Sequence, residues 1–141
     1  MRVVLLIIAL LTALNLAACN KAGAAGAKGG GVTDSATGLK IISWENAKEY
    51  EGQEVLVEGI VTAVKETSGA IFINFHADYR HTFGGFVPGS KIEAVKAGID
   101  DFPNSLQGKK IRIKGMVKHF AEDGQDKPEI EITDPAQIII L

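Results

Sequence analysis

The residues best suited to chemistry or ligand binding are concentrated in one short stretch of the chain. The sequence INFHADYRHTF, residues 73–83, contains two histidines, an aspartate, an arginine, an asparagine and three aromatic residues. Aromatic rings stack on planar ligands, and the polar side chains offer hydrogen-bond donors and acceptors. This mixture is typical of a ligand-binding surface, but a solvent-exposed hairpin end has the same composition.

A metal site is the first chemical function to consider, because His76, Asp78 and His81 lie close together in sequence. Imidazole and carboxylate groups bind zinc, but zinc sites use three or four converging protein ligands. No cysteine pair or His-Glu-x-x-His motif accompanies these residues, and His119 is distant in sequence. We therefore predict no metal and no other cofactor.

The sequence also shows no pattern for nucleophilic catalysis. A nucleophilic serine or cysteine needs an adjacent base or a strained turn that exposes it. The only cysteine, Cys19, borders an N-terminal apolar segment, and three later serines have turn-like surroundings without such a motif: Ser68, Ser90 and Ser105. We predict a binding protein rather than an enzyme.

A second candidate surface is the basic segment KKIRIKGMVK, residues 109–118, in which Arg112, Lys114 and Lys118 are candidate phosphate contacts. A row of cations on one strand suits a phosphate backbone. Other predicted strands carry outward carboxylates that would pair with these cations if the strands are neighbours: Glu54, Glu58, Glu129 and Glu131. We favour a charge-paired face over a phosphate track.

The elements that must position these residues are strands. Two segments, GQEVLVEGIV (52–61) and GKKIRIKGMV (108–117), share glycines and β-branched residues at matching offsets. Their alternation predicts strands with one buried face, and the internal glycine predicts a bulge or bend. Chance similarity between two amphipathic strands is the alternative explanation.

Further strands are predicted at 70–76, 82–87 and 129–132, with a turn at 122–124 and a closing apolar segment at 137–141. Short helices are predicted at 43–50 and 90–98, capped by Ser43 and by a Ser90–Glu93 capping box. In residues 70–76, alternation assigns one face to the core, namely Ile71, Ile73 and Phe75.

This order of elements resembles an OB-fold domain of the kind found in exported bacterial nucleases and lipoproteins. The resemblance rests on the two glycine-flanked strands, on Ile71–Phe75 followed by Asp78-Tyr79, and on the terminal segment 128–138. It implies an all-β fold with short helices: a five-stranded Greek-key barrel with a helix between strands three and four and a short helix before strand one. It covers residues 41–141.

The resemblance implies a ligand face on strands two and three, where OB-folds bind oligonucleotides. The candidate ligand-binding residues are Phe72, Asn74, His76, Tyr79, Arg80 and His81. Turn-stabilising roles for Asn74 and Asp78, and a solvated hairpin end for the others, stay open.

The N terminus predicts export. Arg2 precedes an apolar run from Val3 to Leu16, which is too short for the roughly 20 residues of a membrane span. Leu16-Ala17-Ala18-Cys19 resembles the lipobox of bacterial lipoproteins, whose cysteine thiol receives diacylglycerol before cleavage. We expect residues 1–18 to be a signal peptide and Cys19 to be lipidated, without a partner for a disulfide.

Residues 19–38 are rich in glycine and alanine and predict a flexible tether, so that 39–141 forms the single OB-fold domain. Removal of residues 1–18 leaves 14 basic and 17 acidic side chains, a net charge of -3. Proteins that bind nucleic acid through a strongly cationic surface have a basic net charge, so this slightly acidic balance disfavours that class. Asn20 after the cysteine favours the outer membrane, facing the periplasm, in a Gram-negative host.

The sequence therefore predicts a lipid-anchored OB-fold binding module of the cell envelope, and the resemblance points to single-stranded nucleic acid. The alternative is an envelope adaptor or stress-type protein that binds a protein, a glycan or a small cation. The nucleic-acid-binding module and the adaptor would differ in how strongly salt weakens ligand binding, because only contacts to a phosphate backbone release condensed counterions.

The lipidation hypothesis predicts the behaviour of a Cys19→Ser variant. The hydroxyl cannot accept the thioether-linked diacylglycerol, so we expect loss of metabolic lipid labelling and accumulation of the unprocessed precursor. Electrophoretic mobility and labelling of the full-length chain measure both. Normal processing of the variant would rule out the lipoprotein assignment.

Overall fold

The computed structural model describes residues 31–141. The strands are β1 (Ile41–Ser43), β2 (Glu54–Ile60), β3 (Ala63–Glu66), β4 (Ala70–Asn74), β5 (Gly84–Pro88), β6 (Lys110–Met116), β7 (Lys118–Glu122), β8 (Gln125–Glu131) and β9 (Ile138–Ile140). Helix α1 spans Ile92–Gly98. Short 3-10 helices span Trp44–Tyr50, Gly89–Lys91, Asn104–Leu106 and Pro135–Gln137.

The strands form two sheets, in the orders β1-β2-β6-β9 and β3-β4-β5-β8-β7. The chain passes from β2 into β3 and from β6 into β7 with only short breaks, so these two long strands join the sheets into a barrel. Around the barrel, β2/β3 is followed by β4, β5, β8 and β6/β7. Among these long strands only β5 and β8 pair in parallel, and the short β1 adds a second parallel pair with β2. This arrangement is the predicted five-stranded Greek-key OB-fold, with α1 between the third and fourth long strands.

The two repeated segments pair with each other and close the barrel. β2 and β6 run antiparallel over seven residue pairs, with Val57 opposite Ile113 at the centre. Gly52 and Gly108 precede these strands with φ of 83° and 75°, a left-handed conformation that favours glycine. Both long strands break just after the second glycine of the motif, as the predicted bend requires.

The core fills the barrel interior and confirms the predicted strand faces. The predicted core residues Ile71, Ile73 and Phe75 are at most 3% exposed, and the neighbouring strands add fully buried residues: Val57, Ile113 and Ile132. The ring centroids of Phe75 and Phe83 are 5.4 Å apart inside this core. Residues Ile71, Ile73 and Phe75 therefore face inward, and the alternating residues Phe72 and Asn74 face outward.

The two predicted helices form, but their predicted caps are wrong. Neither Ser43 nor Ser90 caps a helix with its side chain, and Ser43 Oγ donates instead to Glu45 Oε2 at 2.5 Å. Ser90 lies within the 3-10 turn that follows Pro88, so α1 begins one residue later than a Ser90 cap would place it. The capping box of this fold is formed by Asp134 and Gln137.

Two predicted boundaries also shift. The fifth long strand starts at Gln125 rather than at 129, because Asp123 and Gly124 form a tight turn with φ of 50° and 71° directly after β7. Upstream, residues 33–40 fold back on themselves through a bridge between Thr33 and Lys40, and Asp34 accepts hydrogen bonds from Ala36 and Thr37. The folded domain therefore begins before residue 39.

The predicted signal peptide, Cys19 and the tether up to residue 30 lie outside the described residues. Within residues 31–141, no helix has the length and apolar character needed to cross a membrane.

The core assignment predicts a large stability loss for Phe75→Ala. Truncation removes a buried ring and leaves a cavity, so we expect the free energy of unfolding to fall by about 3–5 kcal/mol. Urea denaturation of the purified protein measures the change. The control is Val32→Ala at a position that is 71% exposed, where we expect a change within about 0.5 kcal/mol. A similar small change at Phe75 would contradict the fold.

Candidate functional site

The outer face of the five-stranded sheet brings together side chains from five strands. Phe72 lies between Lys65 of β3 and Phe86 of β5 in the strand register. Asn74 is opposite Gly84, which is in turn opposite Glu129 of β8. Phe120 of β7 is opposite Lys127. Because alternate residues share a face, these side chains lie side by side. We call this set of residues the outer face.

Aromatic rings form the base of the outer face, and Lys127 lies among them. The ring centroids of Phe72 and Phe86 are 5.6 Å apart. Lys127 Nζ lies 5.7 Å from the ring centroid of Phe72 and 6.0 Å from that of Phe120. The residue is only 1% exposed, which is rare for lysine. Attraction of the ammonium to the ring faces helps to hold it there.

Glu129 is the anionic partner of this buried ammonium. Its Oε2 lies 3.3 Å from Lys127 Nζ, and its side chain is 13% exposed. Burial raises the pKa of Glu129, and the nearby Lys127 charge opposes that rise. A buried ion pair contributes little net stability, because both charges lose their hydration. The pair therefore requires an explanation other than stability.

Asn74 is the second buried polar residue of the outer face. It is 7% exposed, and its side-chain amide makes no hydrogen bond to any described residue. Next to it, Gly84 has no side chain, and a Cβ at this position would make ordinary contacts, 3.4 Å from Lys127 Nζ and 3.7 Å from Asn74 Oδ1. Both polar head groups therefore lie close to Gly84.

These groups line a small pocket of about 150 Å³. Its walls are Lys65, Phe72, Asn74, Tyr79, Gln125 and Lys127. A cavity on the order of 150 Å³ holds a single benzene-sized ring. Ordinary ligand pockets are larger, roughly 300 Å³ or more, so this one suits one planar group of a longer ligand.

The loop between β4 and β5 covers one side of the pocket with Tyr79. The backbone N–H of Asp126 donates to the carbonyl of Arg80 at 3.0 Å, which fixes the loop against the start of β8. Arg80 Nε donates to Tyr79 Oη at 3.5 Å, and this hydrogen bond holds the pKa of Tyr79 below its usual value. Tyr79 is 39% exposed, so its ring borders the pocket without closing it.

The structure separates the predicted ligand-binding residues into two groups. Phe72, Asn74 and Tyr79 line the pocket, and Arg80 lies beside Tyr79. His76 and His81 do not line it.

Both histidines instead support the loop around Asp78. His76 Nδ1 accepts from the Asp78 backbone N–H at 3.1 Å, and its ring stacks on Trp44 with centroids 5.7 Å apart. His81 Nδ1 lies 2.9 Å from Asp78 Oδ1, and Thr82 Oγ1 donates to the Asp78 carbonyl at 2.6 Å. Asp78 therefore has the turn role that the sequence left open. Among residues 31–141, no cluster of three or more His, Cys, Asp or Glu side chains is arranged to hold a metal ion.

The basic stripe of β6 and β7 is largely neutralised. Glu58 Oε2 accepts from Arg112 Nε at 2.8 Å, and Glu58 Oε1 lies 2.6 Å from Lys110 Nζ. Lys118 Nζ lies 3.0 Å from Glu131 Oε2. The predicted cross-strand pairing with Glu58 and Glu131 is confirmed, whereas Glu129 pairs with Lys127. Lys114 has no carboxylate partner among the described residues, so the candidate phosphate contacts form no continuous track.

A larger hollow of about 660 Å³ lies by Trp44 and Ile60, but its charged groups already contact each other. Glu58 binds both Lys110 and Arg112 there. The small pocket is the better candidate site, because the hydrogen-bonding groups of Asn74 remain available to a ligand.

Three pocket residues were missed by the sequence reasoning: Lys65, Gln125 and Lys127. Two of them lie at the start of β8, which the sequence analysis placed too late. Extending the alternation of Glu131 and Glu129 backwards to the turn at Asp123-Gly124 would have assigned Lys127 and Gln125 to the same face.

No protein-family model matches the chain, and no curated protein is similar to it in sequence. Among solved structures, it is similar to an aspartyl-tRNA synthetase from Entamoeba histolytica, with 22% identity over 74% of this chain and 21% of that chain and a TM-score of 0.48. An asparaginyl-tRNA synthetase of the same organism, in complex with asparaginyl-adenylate, has 16% identity over 72% and 23% and a TM-score of 0.44.

A third similar structure is OBody AM3L09 bound to hen egg-white lysozyme, with 17% identity over 65% of this chain and 84% of that chain and a TM-score of 0.42. The chain spans about a fifth of the length of the synthetase chains. The strand order itself defines the class of the protein as an OB-fold domain.

The charge pairing on β2 and β6 predicts a pH-dependent effect of Glu58→Gln. The hydrogen bond from Lys110 is the largest influence that lowers the pKa of Glu58. A carboxylate with a lowered pKa stabilises the folded state above its unfolded pKa, and this contribution is lost as the pH falls through the folded pKa.

We therefore expect Glu58→Gln to reduce the free energy of unfolding by roughly 0.2–1 kcal/mol at neutral pH and to have no effect in acid below the folded pKa. Urea denaturation at both pH values measures this. Glu49, an exposed carboxylate without an ion pair in residues 31–141, supplies the control Glu49→Gln. An effect of Glu58→Gln that persists in acid would contradict the ion-pair origin.

Proposed function

We propose that this protein is a lipid-anchored OB-fold module of the cell envelope that binds single-stranded nucleic acid on the outer face. The observation that carries the proposal is the pocket itself. It has the size of one ring, Phe72 and Tyr79 supply aromatic surface, and Asn74 and Lys127 supply hydrogen-bonding groups. An unpaired nucleobase is a planar group of this kind.

Stacking on Phe72 supplies most of the binding energy in this proposal. Base stacking on an aromatic side chain contributes about 1–3 kcal/mol per base in single-strand-binding proteins. A base inside a duplex cannot enter a pocket in a sheet surface, because both of its faces are covered by neighbouring bases. The ligand is therefore a single strand rather than a duplex.

The cations at the rim supply contacts to the backbone phosphates. Lys65 and Arg80 are exposed, and both border the pocket or its Tyr79 wall. The net charge of -3 expected after removal of residues 1–18 opposes nucleic acid overall. We therefore expect modest affinity, in the micromolar range or above at physiological salt, as for other non-specific contacts.

The envelope location in this proposal rests on the N-terminal sequence. A lipid on Cys19 would hold the barrel near the membrane surface, and residues 20–30 would separate the two. The location most consistent with Asn20 is the outer membrane of a Gram-negative host, with the barrel in the periplasm.

The test is a fluorescence anisotropy titration of the purified protein with an unstructured oligonucleotide at low salt. Saturable binding that weakens as salt is added supports the proposal. No binding at low salt would exclude nucleic acid and leave the adaptor that binds a protein, a glycan or a small cation.

The stacking role predicts the effect of Phe72→Ala. We expect binding of all unstructured sequences to weaken by about 1–3 kcal/mol, because stacking on an aromatic ring does not discriminate between the bases. Ile60→Ala is the control, since Ile60 is 59% exposed and lies outside the pocket. Equal affinity of Phe72→Ala and the unmodified protein would rule out Phe72 as the platform.

Arg80→Ala should change the salt dependence instead. Loss of one phosphate contact lowers the slope of log affinity against log salt by roughly 0.7 for a single strand. Lys91→Ala removes an exposed cation beside α1, away from the pocket, and should leave the slope unchanged. An unchanged slope for Arg80→Ala would mean that the phosphate backbone of the nucleic acid does not contact Arg80.

A further inference from the structure

The donors and acceptors in the pocket form a specific pattern. An ammonium carries three hydrogen-bond donors and no acceptor. Among residues 31–141, the only hydrogen-bonding partner near Lys127 Nζ is Glu129 Oε2, at 3.3 Å. Lys127 Nζ also lies near the rings of Phe72 and Phe120, and the residue lines the pocket. A ligand in the pocket can therefore offer acceptors to the remaining donors.

A phosphate is poorly suited to supply these acceptors. Glu129 already neutralises Lys127, and its own pKa is raised by burial, so the site disfavours further negative charge. The rings of Phe72 and Phe120 on either side of the ammonium also fit a flat neutral group better than a tetrahedral anion. The acceptors should therefore belong to a neutral base.

We propose that the pocket, which has room for one ring, takes up the N7/O6 edge of guanine in preference to the edges of the other bases of a bound single strand. Guanine carries two adjacent acceptors, N7 and O6, on one edge, which is the pair that lysine contacts most often in nucleic-acid recognition. The ring N–H next to O6 then finds a carbonyl acceptor in Asn74. Adenine has an amino group where guanine has O6. This amino group and the Lys127 ammonium are both donors, so they cannot form a hydrogen bond with each other.

The selection rests on the proposed function, since it requires that a base enters the pocket. It adds one base-specific position to an otherwise sequence-tolerant surface. Gly84 is part of the selectivity, because a side chain there would contact both Lys127 Nζ and Asn74 Oδ1.

The experiment uses thymidine 11-mers that differ only in the central base, titrated by anisotropy with the purified protein. A central guanine should bind about tenfold more tightly than a central adenine, as expected for one good pair of hydrogen bonds. A central 7-deazaguanine keeps the shape and O6 but lacks N7, and its affinity should fall towards that of adenine. Equal affinity for all three would overturn the selection.

Variants separate the lysine from the rest of the surface. Lys127→Met combined with Glu129→Gln removes both charges together and should abolish the difference in affinity between the central guanine and the central adenine, even if all the 11-mers bind more weakly. Gly84→Ala is the second variant. The new methyl group would make only ordinary contacts, and alanine can adopt the backbone conformation at this position, so the variant should fold. It should reduce the preference as well. If the preference for guanine survives in both variants, it arises at a site other than this pocket.

The outcomes distinguish the two proposals. If no 11-mer binds, nucleic-acid binding itself fails. If all bind equally and Phe72→Ala weakens all of them, the stacking surface stands and guanine selection is wrong. Competition by inorganic phosphate at millimolar concentration, with equal binding of all 11-mers, would show that Lys127 holds the backbone instead.

Discussion

The structure depends on the antiparallel pairing of β2 with β6. These strands come from the two similar segments of the sequence, and their central pair, Val57 and Ile113, is fully buried. Without this pairing, each long strand would have an open edge, and the two sheets would not share a core. The bends after Gly59 and Gly115 let each strand continue into the second sheet. Barrel closure therefore determines where the outer face lies.

The outer face has features that favour binding over stability. A lysine ammonium that is almost completely buried has lost most of its hydration, and Glu129 restores only part of the loss. Asn74 is 7% exposed, and its side-chain amide makes no hydrogen bond to a described residue, so its donors and acceptor are open to a ligand. A ligand that accepts from Lys127 would offset part of the lost hydration of the ammonium.

The loop between β4 and β5 shows how similar residues take different roles. His76, Asp78 and His81 satisfy one another and the loop backbone, while Tyr79 and Arg80 from the same loop reach the pocket. The sequence placed all of these residues near one surface but could not separate the supporting ones from the binding ones. The separation follows from the hydrogen bond between Asp126 and Arg80, which joins segments that are far apart in the chain.

The sequence alone determined the strands and their buried faces, because alternation and turn glycines are local signals, and the OB-fold was expected from the resemblance of the element order. It also indicated Phe72, Asn74 and Tyr79, since they follow from the alternation of one strand and the loop after it. The tertiary structure alone decided which carboxylate pairs with which cation, the burial of Lys127 and the approach of Lys127 and Asn74 to Gly84. Those features depend on which strands become neighbours, and the parallel pairing of β5 with β8 is a long-range contact that no local pattern specifies.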